Sequence, residues 1–233
     1  MSEKSVCGWH GIQCELVDSS DWFDTAALQG MVQLENAEGI NEAKTAKILH
    51  KKDTLIEPVM EVVRLELSNN NLQGTVPPEL QYVSQLMELN LSHNKLSGKL
   101  PQDDSLGHFR RLTALHLEHN RLTGSIPLAL GKNLILKHLR LDHNSLKGSI
   151  PDEMVRNLRN LQHWSLAHNR LLTGRIPTDI AGLRKIQVLE WNDNQLTGPL
   201  PSGLSQLTTL RKFCCFLFVG VGRIGFNGRM TFN

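Results

Sequence analysis

The chain is 233 residues long, 40% hydrophobic and 21% charged, with a formal net charge of +2 and a sequence pI near 8.4. So even a balance, with no Lys/Arg cluster, argues against nucleic acid or an anionic membrane as partner. No stretch approaches the roughly 18 to 20 apolar residues of a membrane-spanning helix, and seven Phe, four Trp and one Tyr leave the core to aliphatic side chains.

The opening "MSEKSVCGWHG" has no apolar h-region, so no secretory signal peptide is expected. Cys7 and Cys14 stand close enough in sequence to pair and close a short loop. Residues 15–61 read as an inserted helical segment. "DWFDTAALQGMVQLEN" offers Asp21 as an N-cap before apolar residues near helical spacing, and "NEAKTAKILHKK" reads as a second short helix ending on positive charge.

From residue 62 one phrase recurs six times, from "VVRLELSNNNLQGTVP" to "IQVLEWNDNQLTGPLP". Its asparagine falls at Asn70, Asn94, Asn120, Asn144, Asn169 and Asn194, at spacings of 24, 26, 24, 25 and 25 residues. L-x-x-L-x-L sets apolar side chains on one side of a short strand and leaves the others facing out. A buried Asn side chain then satisfies turn groups that no strand partner reaches. The following Gly permits tight backbone, and the Pro fixes φ and breaks the strand. One such unit cannot bury its apolar side alone, but a stack of six can. Extra residues fall at "QDDS" (102–105) and at Leu171-Leu172, outside the strand ladder.

At the C-terminal end "LTTLRKFCC" starts a seventh repeat with Leu210, Phe213 and Cys215 in the leucine slots, but Phe218 stands where the next Asn is due. Cys214 and Cys215 are adjacent and poorly placed to bond each other without strain. The run continues as "FLFVGVGRIG", which contains G-x-G-x-x-G. A dinucleotide site also needs a following helix and an acidic residue about 20 positions on. Only "FNGRMTFN" follows, with no carboxylate, so the motif is a decoy and no cofactor is expected.

The unit L-x-x-L-x-L-x-x-N-x-L-x-G-x-[IVL]-P resembles the plant-type leucine-rich repeat of receptor-like kinase ectodomains and polygalacturonase-inhibiting proteins. Near the start, "CGWHGIQC" is similar to that class's capping motif, C-x-W-x-G-[IV]-x-C, through Cys7, Trp9, Gly11, Ile12 and Cys14. The resemblance implies a Cys7–Cys14 disulfide and an α/β fold, a right-handed β-α/3-10 solenoid with a parallel concave β-sheet. The expected organisation is a partial cap over 1–14, the helical insertion over 15–61, six repeats over 62–209, and a degenerate seventh repeat with an irregular tail over 210–233. The resemblance also implies an extracellular or cell-surface setting; the chain itself leaves the compartment open.

The outward strand positions form a grid of mixed charge without an aromatic stripe, which suits a protein or peptide partner over a stacked sugar or base. Its candidate contacts are Arg64, Glu66, Glu88, Asn90, His93, His116, Glu118, His119, His138, Arg140, Asp142, His143, His163, Ser165, His168, Glu190 and Asp193. His93, His119, His143 and His168 share one column, each just before a ladder Asn. Two neighbouring imidazoles could share a metal with Glu118 or Asp142 nearby, or titrate together near pH 6. Copying of an "HN" wording by the repeat accounts for them more simply, and with no tetrahedral ligand set specified no metal is expected. Asn90-Leu91-Ser92 is a glycosylation sequon that the repeat wording also produces.

No nucleophile elbow, ordered triad or kinase motif is present, so no enzyme is expected. The residues favour a recognition module resembling a receptor-like ectodomain or a fragment of one. The alternatives are a secreted inhibitor of a cell-wall-degrading hydrolase and an intracellular scaffold.

Overall fold

A computed structural model describes residues 12–17, 59–219 and 222–228. In chain order the strands are β1 (Ile12–Val17), β2 (Val59–Glu66), β3 (Glu88–Asn90), β4 (Ser97–Lys99), β5 (Ala114–His116), β6 (Arg121–Gly124) and β7 (His138–Arg140). They continue with β8 (Ser145–Gly148), β9 (His163–Ser165), β10 (Leu171–Leu172), β11 (Val188–Trp191), β12 (Lys212–Val219) and β13 (Gly222–Gly228). The main sheet runs β1-β2-β3-β5-β7-β9-β11-β12-β13, and a second sheet runs β10-β8-β6-β4.

Each turn of the chain places one strand in the main sheet, parallel to the one before. The middle leucine slot lines up without slippage as Leu65, Leu89, Leu115, Leu139, Trp164, Leu189 and Phe213, all 3% exposed or less. One residue of slip would turn this row outward, so burial of the leucines fixes the register. Aliphatic side chains make most of the core, as composition requires, but two tryptophans replace leucines in adjacent turns. Trp164 and Trp191 meet edge to face, with centroids 5.0 Å apart.

The asparagines lock turn to turn. The Asn144 side chain accepts from the Leu122 N–H at 2.9 Å and donates to the carbonyls of Leu117 at 2.9 Å and Leu141 at 3.2 Å. Asn94, Asn120 and Asn169 repeat the pattern one turn apart, and Asn194 accepts from the Asn169 N–H at 3.0 Å.

After Asn94, Asn120, Asn144 and Asn169 the chain pairs a second time. The L-x-G stretch, expected only to turn tightly, forms the four-stranded parallel sheet. Gly98 and Gly124 are at φ +75° and +78°, and a Cβ on either would come within 2.8 Å of Thr75 or Lys99 in the preceding turn. The proline then opens the return segment. Pro77, Pro127, Pro177 and Pro201 cap 3-10 turns at Pro78–Tyr82, Leu128–Lys132, Thr178–Gly182 and Ser202–Gln206. Pro fits there because it needs no N–H partner and its φ is preset. The return after Pro151 is one residue longer than that after Pro127, and it closes a full α-turn, helix α1 (Asp152–Asn157).

Both edges of the main sheet depart from the parallel expectation. β1 pairs antiparallel with β2, Cys14 opposite Val62, and β12 pairs antiparallel with β13, Val219 opposite Gly222. The ends of the segment expected to be helical, 15–17 and 59–61, are therefore strand, while 18–58 lies outside the described residues. The tail expected to be irregular holds β12 and β13. Gly222 and Gly225 of the G-x-G-x-x-G stretch lie in a strand, not before a helix. The disulfide implied for Cys7 and Cys14 lies outside the described residues. Among those residues, no helix is long and apolar enough to cross a membrane.

Candidate functional site

Strand register converts the outward positions into columns that cross the main sheet. The first runs Arg64, Glu88, Ala114, His138, His163, Val188 and Lys212; the second runs Glu66, Asn90, His116, Arg140, Ser165, Glu190 and Cys214. Ion pairs bridge neighbouring strands within this grid. Arg64 Nη2 lies 3.0 Å from Glu88 Oε2, and Lys212 Nζ contacts Glu190 Oε1. That hydrogen bond raises the Lys212 pKa. Asn90 of the sequon donates to Glu66 Oε2 at 2.9 Å, and its own Oδ1 accepts the Ser92 N–H at 3.0 Å.

Three candidates do not face solvent as expected. Glu118, Asp142 and Ser165 are only 4 to 5% exposed. The strands are three residues long here, so Glu118 and Asp142 fall where the chain already bends into the ladder turn. Longer neighbours cover them. Arg140 reaches over both, with Nη1 at 3.3 Å from Glu118 Oε1 and Nε at 3.8 Å from Asp142 Oδ1, and His116 Nδ1 stands 3.6 Å from Glu118. Burial pushes the Glu118 carboxyl up, but His116, a backbone amide and Arg140 together hold it below its ordinary value. Glu118 Oε2 and Asp142 Oδ1 have no hydrogen-bond partner among the described residues.

The histidine column, the positions just before each ladder asparagine, has a backbone cause that the sequence did not reveal. Asn69, His93, His119, His143, His168 and Asp193 are held at φ between +53° and +57°. Asn, Asp and His tolerate this left-handed region better than other side chains, so the slot admits those three types. Four successive imidazoles then stack: His93 on His119 at 4.2 Å, His119 on His143 at 4.0 Å, and His143 on His168 at 4.2 Å between centroids. At the end of the stack His168 Nδ1 lies 3.3 Å from Asp193 Oδ2. Burial and then the neighbouring imidazoles lower the pKa of His119 and of His143. A separate pair, His138 and His163, meets edge-on at 5.0 Å, and burial followed by His163 lowers the pKa of His138.

At the C-terminal side of this face, Asp142, His143, His168, Glu190, Asn192, Lys212 and Cys214 line a cleft of about 310 Å³. Cys214 and Cys215 are consecutive strand residues and so point to opposite faces: Cys214 toward this cleft, Cys215 into the core, where burial pushes its thiol up to about 12. Lys212 and Cys214 take the outward positions of the seventh L-x-x-L-x-L stretch, and they join the face because β12 continues the parallel ladder; they are absent from the candidate contacts because the repeat degenerates after Cys215.

A family model described as Leucine rich repeat matches residues 61–122 and 135–196, more than half of the chain. No curated protein matches the sequence significantly. Among solved structures, the ectodomain of the receptor kinase SOBIR1 from Arabidopsis thaliana is 29% identical, with a TM-score of 0.63, over 83% of this chain and 87% of its own. The Arabidopsis receptor kinase HAESA, in complex with the peptide hormone IDA and the co-receptor SERK1, is 38% identical, with a TM-score of 0.61, over 66% of this chain and 26% of its own. The plant peptide hormone receptor RGFR1, in complex with RGF2, is 34% identical, with a TM-score of 0.60, over 64% and 24%. The chain thus matches about a quarter of the length of these two receptors.

Proposed function

Because the chain belongs to the leucine-rich repeat family, we propose that it is a non-enzymatic recognition module whose concave main sheet receives a protein or peptide. The observation that carries this reading is the grid itself: seven parallel strands in unbroken register offer polar side chains of alternating sign across the sheet. An extended segment lying across the strands meets Arg64 and Glu88, then His116 and Arg140, then Glu190 and Lys212. Such alternation selects a partner by charge order, because a like charge set opposite any of them is repelled. HAESA and RGFR1, both similar to this chain, hold peptide ligands, which supports a peptide as one class of partner.

The test is a random peptide library displayed on phage and panned against the full chain. Enriched peptides are expected to lose binding to Glu88→Lys and Arg140→Glu variants and to keep it with Glu153→Lys, on helix α1 away from the sheet. Enrichment of no sequence, or binding indifferent to the two grid substitutions, refutes the reading.

A further inference from the structure

The histidine stack and the buried acid beneath it converge at one point. His119, Asp142 and His143 each offer one ligand atom, and the three atoms lie within 4.8 Å of one another. Asp142 is 5% exposed, and its Oδ1 has no hydrogen-bond partner among the described residues. The facing cation, Arg140 Nε, stands 3.8 Å away while the same guanidinium contacts Glu118 at 3.3 Å. A carboxylate oxygen withdrawn from water with only a distant cation facing it is costly unless something binds it.

We propose that His119, Asp142 and His143 form a binding site for a divalent transition-metal ion of the zinc and copper(II) class on the concave face. Two imidazoles and one carboxylate suit these ions and not magnesium or calcium, which favour all-oxygen sets. Three protein donors leave a fourth position open, as in zinc sites that keep an exchangeable ligand. Coordination draws the donors together from their present spacing, since Zn–N bonds are about 2.0 to 2.1 Å. Neither imidazole is buried, so rotation of the rings accommodates this. The left-handed backbone accounts for the choice among Asn, Asp and His, but not for imidazole in particular. Asn69 and Asp193 hold the same conformation at the ends of the column.

The experiment is calorimetric titration of the full chain with zinc, without any partner, together with the ligand-field spectrum of the cobalt(II) form. One ion per chain at micromolar affinity or tighter is expected. Loss of an outer-shell partner alone weakens metal sites by about 10- to 100-fold, so His143→Asn and Asp142→Asn should each weaken binding at least about tenfold. Asn tolerates the left-handed backbone, so His143→Asn keeps the fold, which circular dichroism verifies. His163→Gln, outside the column, should leave affinity unchanged. No binding overturns the proposal, as does binding that survives both substitutions or falls equally with His163→Gln. Because no partner is present, failure here leaves the recognition reading standing.

Discussion

Replacing Asn169 by alanine tests what aligns the turns. The side chain is 0% exposed, accepts the Leu146 N–H at 3.0 Å and donates to the carbonyls of Leu141 at 2.9 Å and Leu166 at 3.0 Å. Those carbonyls keep a second partner each, Asn144 Nδ2 and Asn194 Nδ2, so losing the donors costs little beyond the bonds themselves. The Leu146 N–H loses its side-chain acceptor inside the core, a penalty of about 1 to 3 kcal/mol. Adding roughly 1 kcal/mol for the weakened carbonyl bonds gives a total of about 2 to 4 kcal/mol. That is a large part of the roughly 5 to 15 kcal/mol that stabilises a typical domain. Urea unfolding read by tryptophan fluorescence measures it, since Trp164 is buried in the same turn as Asn169 and Trp191 in the next. Asn120 is only half-buried and water can replace its amide, so Asn120→Ala should cost about half as much. A loss below about 1 kcal/mol for Asn169→Ala, or no difference between the two variants, refutes the reasoning.

The return segments pack as closely as the strands. A Cβ at Gly131 would sit 2.9 Å from the Met154 Cα, so Gly131→Ala should cost about 1 to 3 kcal/mol as an overpacked site, seen as a lower melting temperature. The extra residue in the fifth repeat leaves Leu171 52% exposed and Leu172 buried. Leu171→Thr should therefore stay within about 0.5 kcal/mol of the parent, while Leu172→Ala loses about 2 to 5 kcal/mol in the same urea assay. Cys215 is fully buried with its thiol pushed up to about 12. Iodoacetamide at pH 8 should leave it unmodified in the native chain and label it in urea, as peptide mapping would record; rapid native labelling would contradict the core placement.

The repeats were readable because period and burial carry the same information. Leucines in the L-x-x-L-x-L slots, with an asparagine every 24 to 26 residues, define both the strand and the turn that ends it. The outward grid followed from the same alternation, and for Arg64, Glu88, His138 and Arg140 it holds. Alternation fails for Glu118 and Asp142, because the strand stops after three residues and the bend carries these short acids under Arg140. The histidine column was visible as a pattern, but its backbone cause was not, since a positive φ leaves no periodic trace. The second sheet was hidden for a related reason: its strands are short and rich in Gly, Ser and Thr, residues that read locally as turn. The antiparallel edges β1 and β13 lie outside the repeat, so its register could not place them.

Hydroxyl-radical footprinting of the full chain, free and saturated with a panned peptide, tests most directly whether the concave sheet is the docking surface. Protection is expected at Met87, His116 and His163 on and beside the grid, with Leu134 and Ile135 on the return segments as reactive as before. Protection confined to Leu134, Ile135 and Leu128, with the grid unchanged, would contradict it.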